Sequence, residues 1–176
     1  VQITVNKHWD DNNNQNQKRP TSIKYILNGG KAPIEQIVTG NQTTDNNWSY
    51  TFTNLSKYDE NGNEIMYTLD EEPINSSDLQ FYTKTITGNS KIGINIVNKF
   101  TVPNDKISVK VNKHWEDNNN QNHKRPISIK YVLKGGTSPI EQTITGNQTT
   151  DENWNYTFTD LPKYNSNGNE IKYTVE

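Results

Sequence analysis

Three polar side chains fall at positions where the strand pattern predicts a core-facing residue. Alternate residues of a β-strand face the same side, so Lys7 in the segment VQITVNKHW shares a face with valine, isoleucine and tryptophan. Glu71 continues the inward row of IMYTLDE, and Asn98 belongs to the inward row of KIGINIVNKF. Taken singly, each is more typical of a side chain that reaches solvent or caps a backbone group. Together they suggest a shared chemical role.

A lysine, a glutamic acid and an asparagine in a dry core have complementary reactivity. Burial lowers the pKa of a lysine, and its neutral amine is a nucleophile. Burial raises the pKa of a glutamic acid, which then stays protonated and can donate to an amide oxygen. The asparagine carboxamide is an electrophile whose leaving group is ammonia. Brought together, Lys7 and Asn98 could form an isopeptide bond, with Glu71 as the proton shuttle.

An internal repeat duplicates the lysine but not its partners. Residues 1–70 align with residues 107–176, and 48 of the 70 aligned positions are identical. Lys113 in VNKHWED corresponds to Lys7, and the final residue, Glu176, corresponds to Asp70. The second copy therefore contains no counterpart of residues 71–100. We expect Lys113 to have no partner within its own repeat.

Strand signals dominate both copies, and no stretch carries the apolar stripe of a helix. In the first copy they cover residues 1–9, 21–28, 34–39, 47–53, 65–71, 80–87 and 91–100. Seven strands in about 100 residues predict an all-β Greek-key sandwich. We expect domains at 1–100 and 107–176, joined by the linker 101–106. Without the last strands, the second domain has an open edge.

Composition and motifs exclude several classes of function. The 176 residues carry a formal net charge of −2 without a basic patch or acidic tail, so nucleic acid and anionic membranes are poor partners. The chain has no cysteine and no apolar run of membrane-spanning length. Its acidic loops, Asp10–Gln17 and Asp59–Glu64, lack the ligand spacing of an EF-hand. We interpret them as solvated and expect neither a metal nor a cofactor.

The segments VNKHWDD, WSYTFTNL, KYDENGNEIMYTLDE and IVNKF resemble CnaB-type domains, the B-region repeats of collagen adhesins and pilins of Gram-positive bacteria. The resemblance covers the whole first copy and the available part of the second. It matches the family's lysine to Lys7 and Lys113, its catalytic glutamate to Glu71 and its asparagine to Asn98. It implies two tandem seven-stranded inverse-immunoglobulin-like sandwiches, the second lacking its last strands, and a Lys7–Asn98 isopeptide bond in the first.

The same resemblance implies a structural function. The chain would be an extracellular, monomeric stalk or spacer segment of a cell-wall-anchored adhesin, with neighbouring repeats as partners. It would not be an enzyme beyond one autocatalytic turnover. A last strand supplied separately could complete the second copy and react with Lys113, as in split-domain ligation systems derived from this family. Two alternatives are a direct binding module for host matrix protein or glycan and a metal-dependent module. The row Trp48, Tyr50 and Phe52 could be a sugar platform, although core packing is more typical.

Overall fold

The computed structural model describes all 176 residues, which form two compact units, Val1–Pro103 and Asn104–Glu176. Both units are built from β-strands. The boundary between them lies inside the predicted linker 101–106. The structure contains no helix with the length and apolar character needed to cross a membrane.

The first unit has the seven strands that the sequence predicts. They are β1 (Ile3–Asp10), β2 (Ser22–Asn28), β3 (Ile34–Thr39), β4 (Tyr50–Phe52), β5 (Thr68–Pro73), β6 (Tyr82–Asn89) and β7 (Gly93–Phe100). One sheet has the strand order β4-β1-β7-β6 and the other has the order β3-β2-β5. The first and last strands, β1 and β7, are parallel neighbours. The first unit therefore has its first and last strands side by side in the middle of one sheet.

Alternation along β1 produces the inward row expected from the sequence. Ile3, Val5, Lys7 and Trp9 are buried, and the residues between them are more exposed. Trp9 packs edge-on against Trp48 with ring centroids 5.1 Å apart. Large aromatic rings supply much of the buried area in a chain that is only 29% hydrophobic.

Several expected side-chain positions are wrong at the strand ends. Val1 and Ile92 are 55% and 79% exposed, because β1 begins at Ile3 and β7 begins at Gly93. Trp48 lies in a turn that precedes β4 instead of on that strand, yet it is fully buried. The predicted aromatic row thus contributes to the core and does not form an exposed sugar platform.

The second unit has five strands. They are β8 (Lys106–Val111), β9 (Ser128–Lys134), β10 (Ile140–Thr145), β11 (Tyr156–Pro162) and β12 (Thr174–Val175). They form a two-stranded sheet, β11-β8, and a three-stranded sheet, β10-β9-β12. Counterparts of β6 and β7 are absent from residues 104–176, as the sequence predicts.

The segment VNKHW has different structures in the two units, and the second unit lacks the last two strands. In the first unit, β7 pairs with residues 5–10 of β1. In the second unit the equivalent strand, β8, already ends at Val111, and Lys113–Trp115 are not in a strand. The side chains of Val109 and Val111 are only half-buried. Pairing with a neighbouring strand, and not local propensity, therefore extends β1 to Asp10.

Candidate functional site: a buried Lys–Glu–Asn cluster

The fold brings Lys7, Glu71 and Asn98 together inside the first unit. Lys7 on β1 and Asn98 on β7 belong to one sheet, and Glu71 on β5 belongs to the opposite sheet. The parallel register pairs Asn98 with Trp9, two residues beyond Lys7 on the same face. The three residues are 3%, 2% and 0% exposed, in the order Lys7, Glu71, Asn98. All three thus face the interior, as their strand phase predicts.

The carboxyl group of Glu71 lies between the amine and the carboxamide. Its Oε2 atom is 3.9 Å from Nζ of Lys7. Its Oε1 atom accepts a hydrogen bond of 2.5 Å from Nδ2 of Asn98. One carboxyl oxygen thus faces a nucleophile, and the other faces the nitrogen that would leave as ammonia. This is the geometry that a proton shuttle between the two nitrogens requires.

Two oxygen atoms of the cluster have no hydrogen-bond partner. They are Oε2 of Glu71 and Oδ1 of Asn98, and both are buried. An unpaired buried polar group costs about 1–3 kcal/mol. A half-turn of the carboxamide exchanges its oxygen and nitrogen, and a protonated Glu71 could then donate to Asn98 Oδ1. The protonated form of Glu71 would therefore give Oδ1 of Asn98 a hydrogen-bond partner, whereas Oε2 of Glu71 would stay unpaired.

Electrostatics favour the neutral forms of the lysine and the glutamic acid. Burial lowers the pKa of Lys7 to about 8, against the attraction of Glu71. Burial also raises the pKa of Glu71, against the charge of Lys7 and the hydrogen bond from Asn98. Loss of water disfavours both charged forms, which is why the two pKa values move in opposite directions. A neutral amine and a neutral acid are the forms needed to attack and activate an amide.

The surroundings of the cluster are aromatic. Nζ of Lys7 lies 3.7 Å from the ring centroid of Trp9 and donates to the carbonyl of His8 at 3.0 Å. Tyr25 pairs with Glu71 in the register of β2 and β5. Its hydroxyl donates to the carbonyl of Trp48 at 2.6 Å, away from the carboxyl group. The ring of Trp9 thus covers the amine of Lys7, and all three side chains of the cluster are buried.

Residues 3–99 and 109–176 match the Cna protein B-type domain family. The chain belongs to this family. A collagen adhesin of Staphylococcus aureus is 38% identical over 175 residues, which are 98% of this chain and 13% of that protein. A crystal structure of a single B repeat unit of the collagen-binding surface protein of the same species has 34% identity and a TM-score of 0.45. It covers 100% of this chain and 84% of that one. A structure of two such units has 35% identity and a TM-score of 0.46, covering 100% and 42%.

The second B-type domain retains the local placement of the lysine without its partners. Lys113 is half-buried, donates to the carbonyl of His114 at 3.0 Å and lies 4.0 Å from the ring centroid of Trp115. These contacts repeat those of Lys7. The segment VNKHW therefore sets the lysine conformation locally. Residues 104–176 contain no counterpart of Glu71 or Asn98.

Sequence reasoning missed a charged cluster that follows β1 in the first B-type domain. Nε and Nη2 of Arg19 donate to the two carboxylate oxygens of Asp11 at 3.0 and 2.6 Å. Nη1 of Arg19 donates to the carbonyls of Asn41 and Thr44. The hydroxyl of Tyr82 donates to Asp11 at 3.0 Å. Asp11 and Arg19 are 6% exposed each, so the interpretation of this loop as solvated is wrong at Asp11.

The Asp11–Arg19 pair holds the end of β1 in place. Burial acts to raise the pKa of Asp11, but hydrogen bonds from Arg19, the backbone and Tyr82 outweigh it and lower that pKa overall. The guanidinium of Arg19 also lies 5.2 Å from the ring centroid of Trp9. The only signal in the sequence was an acidic and a basic residue at the two ends of a polar loop, which many solvated loops share.

Two of the three histidines pair with aspartates at the surface. Nδ1 of His8 lies 2.6 Å from Oδ2 of Asp45, and His114 pairs with Asp151 in the same way. Alternation along β1 turns His8 outward, but a local pattern does not identify its partner. No three His, Asp or Glu side chains come together as ligands for a metal ion.

Proposed function

We propose that the chain is a stalk or spacer segment of a bacterial surface adhesin, and that an isopeptide bond between Lys7 and Asn98 staples its first domain. The observation that carries the proposal is the position of the Glu71 carboxyl group, 3.9 Å from the amine and 2.5 Å from the carboxamide nitrogen. Membership of the Cna protein B-type family supports the adhesin context. The chain spans 13% of the length of its curated relative, so the cell-wall location and neighbouring repeats are part of the proposal.

In the proposed reaction, the neutral amine of Lys7 attacks Cγ of Asn98. Glu71 donates its proton to the carboxamide and receives one from the attacking nitrogen. The bond from Cγ to Nδ2 then breaks, and one ammonia leaves as the new amide forms. Glu71 ends in the protonation state in which it began. No oxidant, metal or cofactor is needed, and the reaction occurs once per molecule.

The proposed bond suits a segment that carries tension. β1 and β7 are adjacent and parallel, so force applied at the start of β1 and the end of β7 would shear the two strands apart. A covalent bond between them bypasses the backbone hydrogen bonds that would otherwise bear the load. By the chain-entropy argument used for long-loop disulfides, it also stabilises the domain by on the order of 4 kcal/mol. The chain has no cysteine to provide a disulfide.

For the second domain, we propose that Lys113 is unreacted in this chain. A complementing strand that carries an asparagine, supplied from elsewhere, would pair with residues 111–116 as β7 pairs with residues 5–10 of β1. The half-buried side chains of β8 support this proposal, since a partner strand would cover them.

Intact mass spectrometry of the purified chain tests the proposal. We expect the mass calculated from the sequence minus one ammonia. The Glu71→Ala variant should keep its full mass, because general acid–base catalysis contributes about 100-fold or more to such a reaction. Lys7→Ala should also keep its full mass, whereas Lys113→Ala should lose one ammonia like the unmodified chain.

Each other outcome contradicts a specific part of the proposal. No loss of ammonia from the unmodified chain excludes the bond in the first domain. Loss of two ammonias contradicts the proposal that Lys113 is unreacted. A complete crosslink in Glu71→Ala shows that Glu71 does not catalyse the reaction.

A further inference from the structure

A second lysine, Lys84 on β6, connects the two sheets beside the reactive cluster. Its Nζ atom donates to the backbone carbonyl of Glu71 at 2.7 Å and to Oδ1 of Asp70 at 2.5 Å. In the register of β6 and β7, Lys84 is directly opposite Asn98. One side chain therefore links the strand beside the electrophile to the backbone of the residue that carries the acid.

The bond from Lys84 to Glu71 connects the same two sheets that contribute the side chains of the cluster. Lys7 and Asn98 lie in one sheet, so backbone pairing between β1 and β7 fixes their mutual position. Glu71 lies in the other sheet, and no backbone pairing connects β5 to β7. The position of Glu71 relative to Asn98 thus depends on packing and on side-chain contacts between the sheets. Lys84 provides such a contact at the backbone of Glu71 itself.

We propose that Lys84 is a positioning residue for isopeptide formation. Its hydrogen bond holds the backbone of Glu71 where the carboxyl group of that residue reaches both Lys7 and Asn98. The inference rests on the proposed crosslink and deepens it. Lys84 does not touch the reacting atoms. Its side chain is 33% exposed and its partner Asp70 is 55% exposed, so the pair lies at the open edge of the sandwich. A surface ion pair alone would contribute little to stability.

Lys84 also affects the acidity of Glu71. Polar and charged groups face Glu71 from five strands: Lys7 on β1, Tyr25 on β2, Asp70 on β5 itself, Lys84 on β6 and Asn98 on β7. Apart from burial, which raises the pKa of Glu71, the charge of Lys84 lowers this pKa and the charge of Asp70 raises it. Removing the charge of Lys84 should therefore shift the pH dependence of the reaction to higher pH, and removing the charge of Asp70 should shift it to lower pH.

The test measures the rate of crosslinking. The full chain is synthesised in a short cell-free pulse, quenched in acidic denaturant and refolded by dilution at a series of pH values. Intact mass at timed intervals then follows the loss of ammonia. The variants are Lys84→Met, which keeps the aliphatic stem, Lys84→Arg, which keeps the charge and donors, and Asp70→Asn. Circular dichroism confirms that each variant folds.

We expect Lys84→Met to slow crosslinking by about 10- to 100-fold, as a small misplacement of a catalytic group does. The alkaline limb of its pH–rate profile, where Glu71 loses its proton, should move to higher pH. Lys84→Arg should react within a few-fold of the unmodified rate. Asp70→Asn should move the alkaline limb of the pH–rate profile to lower pH. It should also slow crosslinking, because it removes the carboxylate that holds the Lys84 amine beside the carbonyl of Glu71, so it keeps the inference testable if Lys84→Met does not fold.

Two results would overturn the inference while the crosslink stands. One is a Lys84→Met chain that reacts at the unmodified rate with an unchanged pH profile. The other is an equal loss of rate at every pH that Lys84→Arg does not restore, which would indicate a purely structural contact. Absence of ammonia loss from the unmodified chain would instead refute the proposed function itself.

Discussion

At the scale of single residues, the central feature is a lysine in an apolar row. An ammonium group in a protein interior is costly unless it is paired or loses its charge. The carboxyl group of Glu71 attracts the charged amine of Lys7. Burial disfavours the charged form of both groups and outweighs this attraction. Burial therefore shifts both groups toward their neutral forms. This explains why a domain with a small core retains three polar groups inside it.

The lowered pKa of Lys7 predicts a pH-dependent stability in a variant that cannot crosslink. In Asn98→Ala, Lys7 should titrate near pH 8 when folded and near 10.5 when unfolded. Between these values the unfolded state binds more protons, so the free energy of unfolding should rise with pH, by on the order of 3 kcal/mol in total. Urea unfolding across this pH range measures the effect.

The double variant Lys7→Met/Asn98→Ala is the matched control, since it lacks the titrating amine. Its free energy of unfolding contains every other pH effect of the domain. Parallel pH curves for the single and double variants would show that the pKa of Lys7 is not lowered by folding.

At the scale of elements, the first domain depends on a turn that buries an aromatic ring. Trp48 precedes β4 and contacts Trp9, the residue that pairs with Asn98. Gly40, just after β3, lies directly against the ring of Trp48. Sequence periodicity could not reveal this contact, because it joins two segments outside regular strands. The position of β1 within the core thus depends partly on a glycine.

We predict that Gly40→Ala destabilises the first domain by about 1–3 kcal/mol, as overpacking of a core does. A Cβ atom at Gly40 would lie 2.2 Å from the ring of Trp48, so the ring or the turn must move. Gly30→Ala is the control, because the nearest atom to its Cβ would be 3.8 Å away. That change should alter stability by less than about 0.5 kcal/mol. Calorimetric unfolding of the first domain measures both, and equal effects would contradict the steric argument.

At the scale of the whole molecule, one sequence occurs in two environments. The segment VNKHW appears at residues 5–9 and 111–115. In the first copy it belongs to an inner strand and pairs along its length with β7. In the second it lies at an edge and leaves strand geometry after Val111. The chain therefore contains its own control for the effect of β7.

This difference predicts unequal hydrogen exchange in the two copies. Backbone amides of Asn6, His8 and Asp10 should exchange at least about 100-fold more slowly than their counterparts in residues 112–116, because only the first set faces β7. The alternate amides donate to side chains on the other side in both copies and should differ less. Intrinsic rates are nearly the same, since the segments differ only at Asp10 and Glu116. Exchange followed by peptide-level mass spectrometry measures the ratio. Equal protection would show that residues 111–116 pair with another strand in solution.

The sequence alone determined which side chains face inward. Alternation along a strand is a local property, so Lys7, Glu71 and Asn98 could each be assigned to the interior from a few neighbouring residues. The seven strands of the first domain and the absence of two from the second followed from the same patterns and the repeat. The ends of the strands were misjudged, as at Val1 and Ile92, because pairing with a neighbour decides where a strand stops, and the burial of Asp11 was missed.

Only the tertiary structure decided how those side chains meet. The contact of one carboxyl group with both nitrogens depends on the register of β1 with β7 and on the packing of two sheets, which are non-local. The same is true of Lys84, whose partners lie on another strand, and of the bonds from Arg19 to the carbonyls of Asn41 and Thr44. Local sequence constrains the direction of a side chain, but the distance between side chains on different strands is set by the assembled fold.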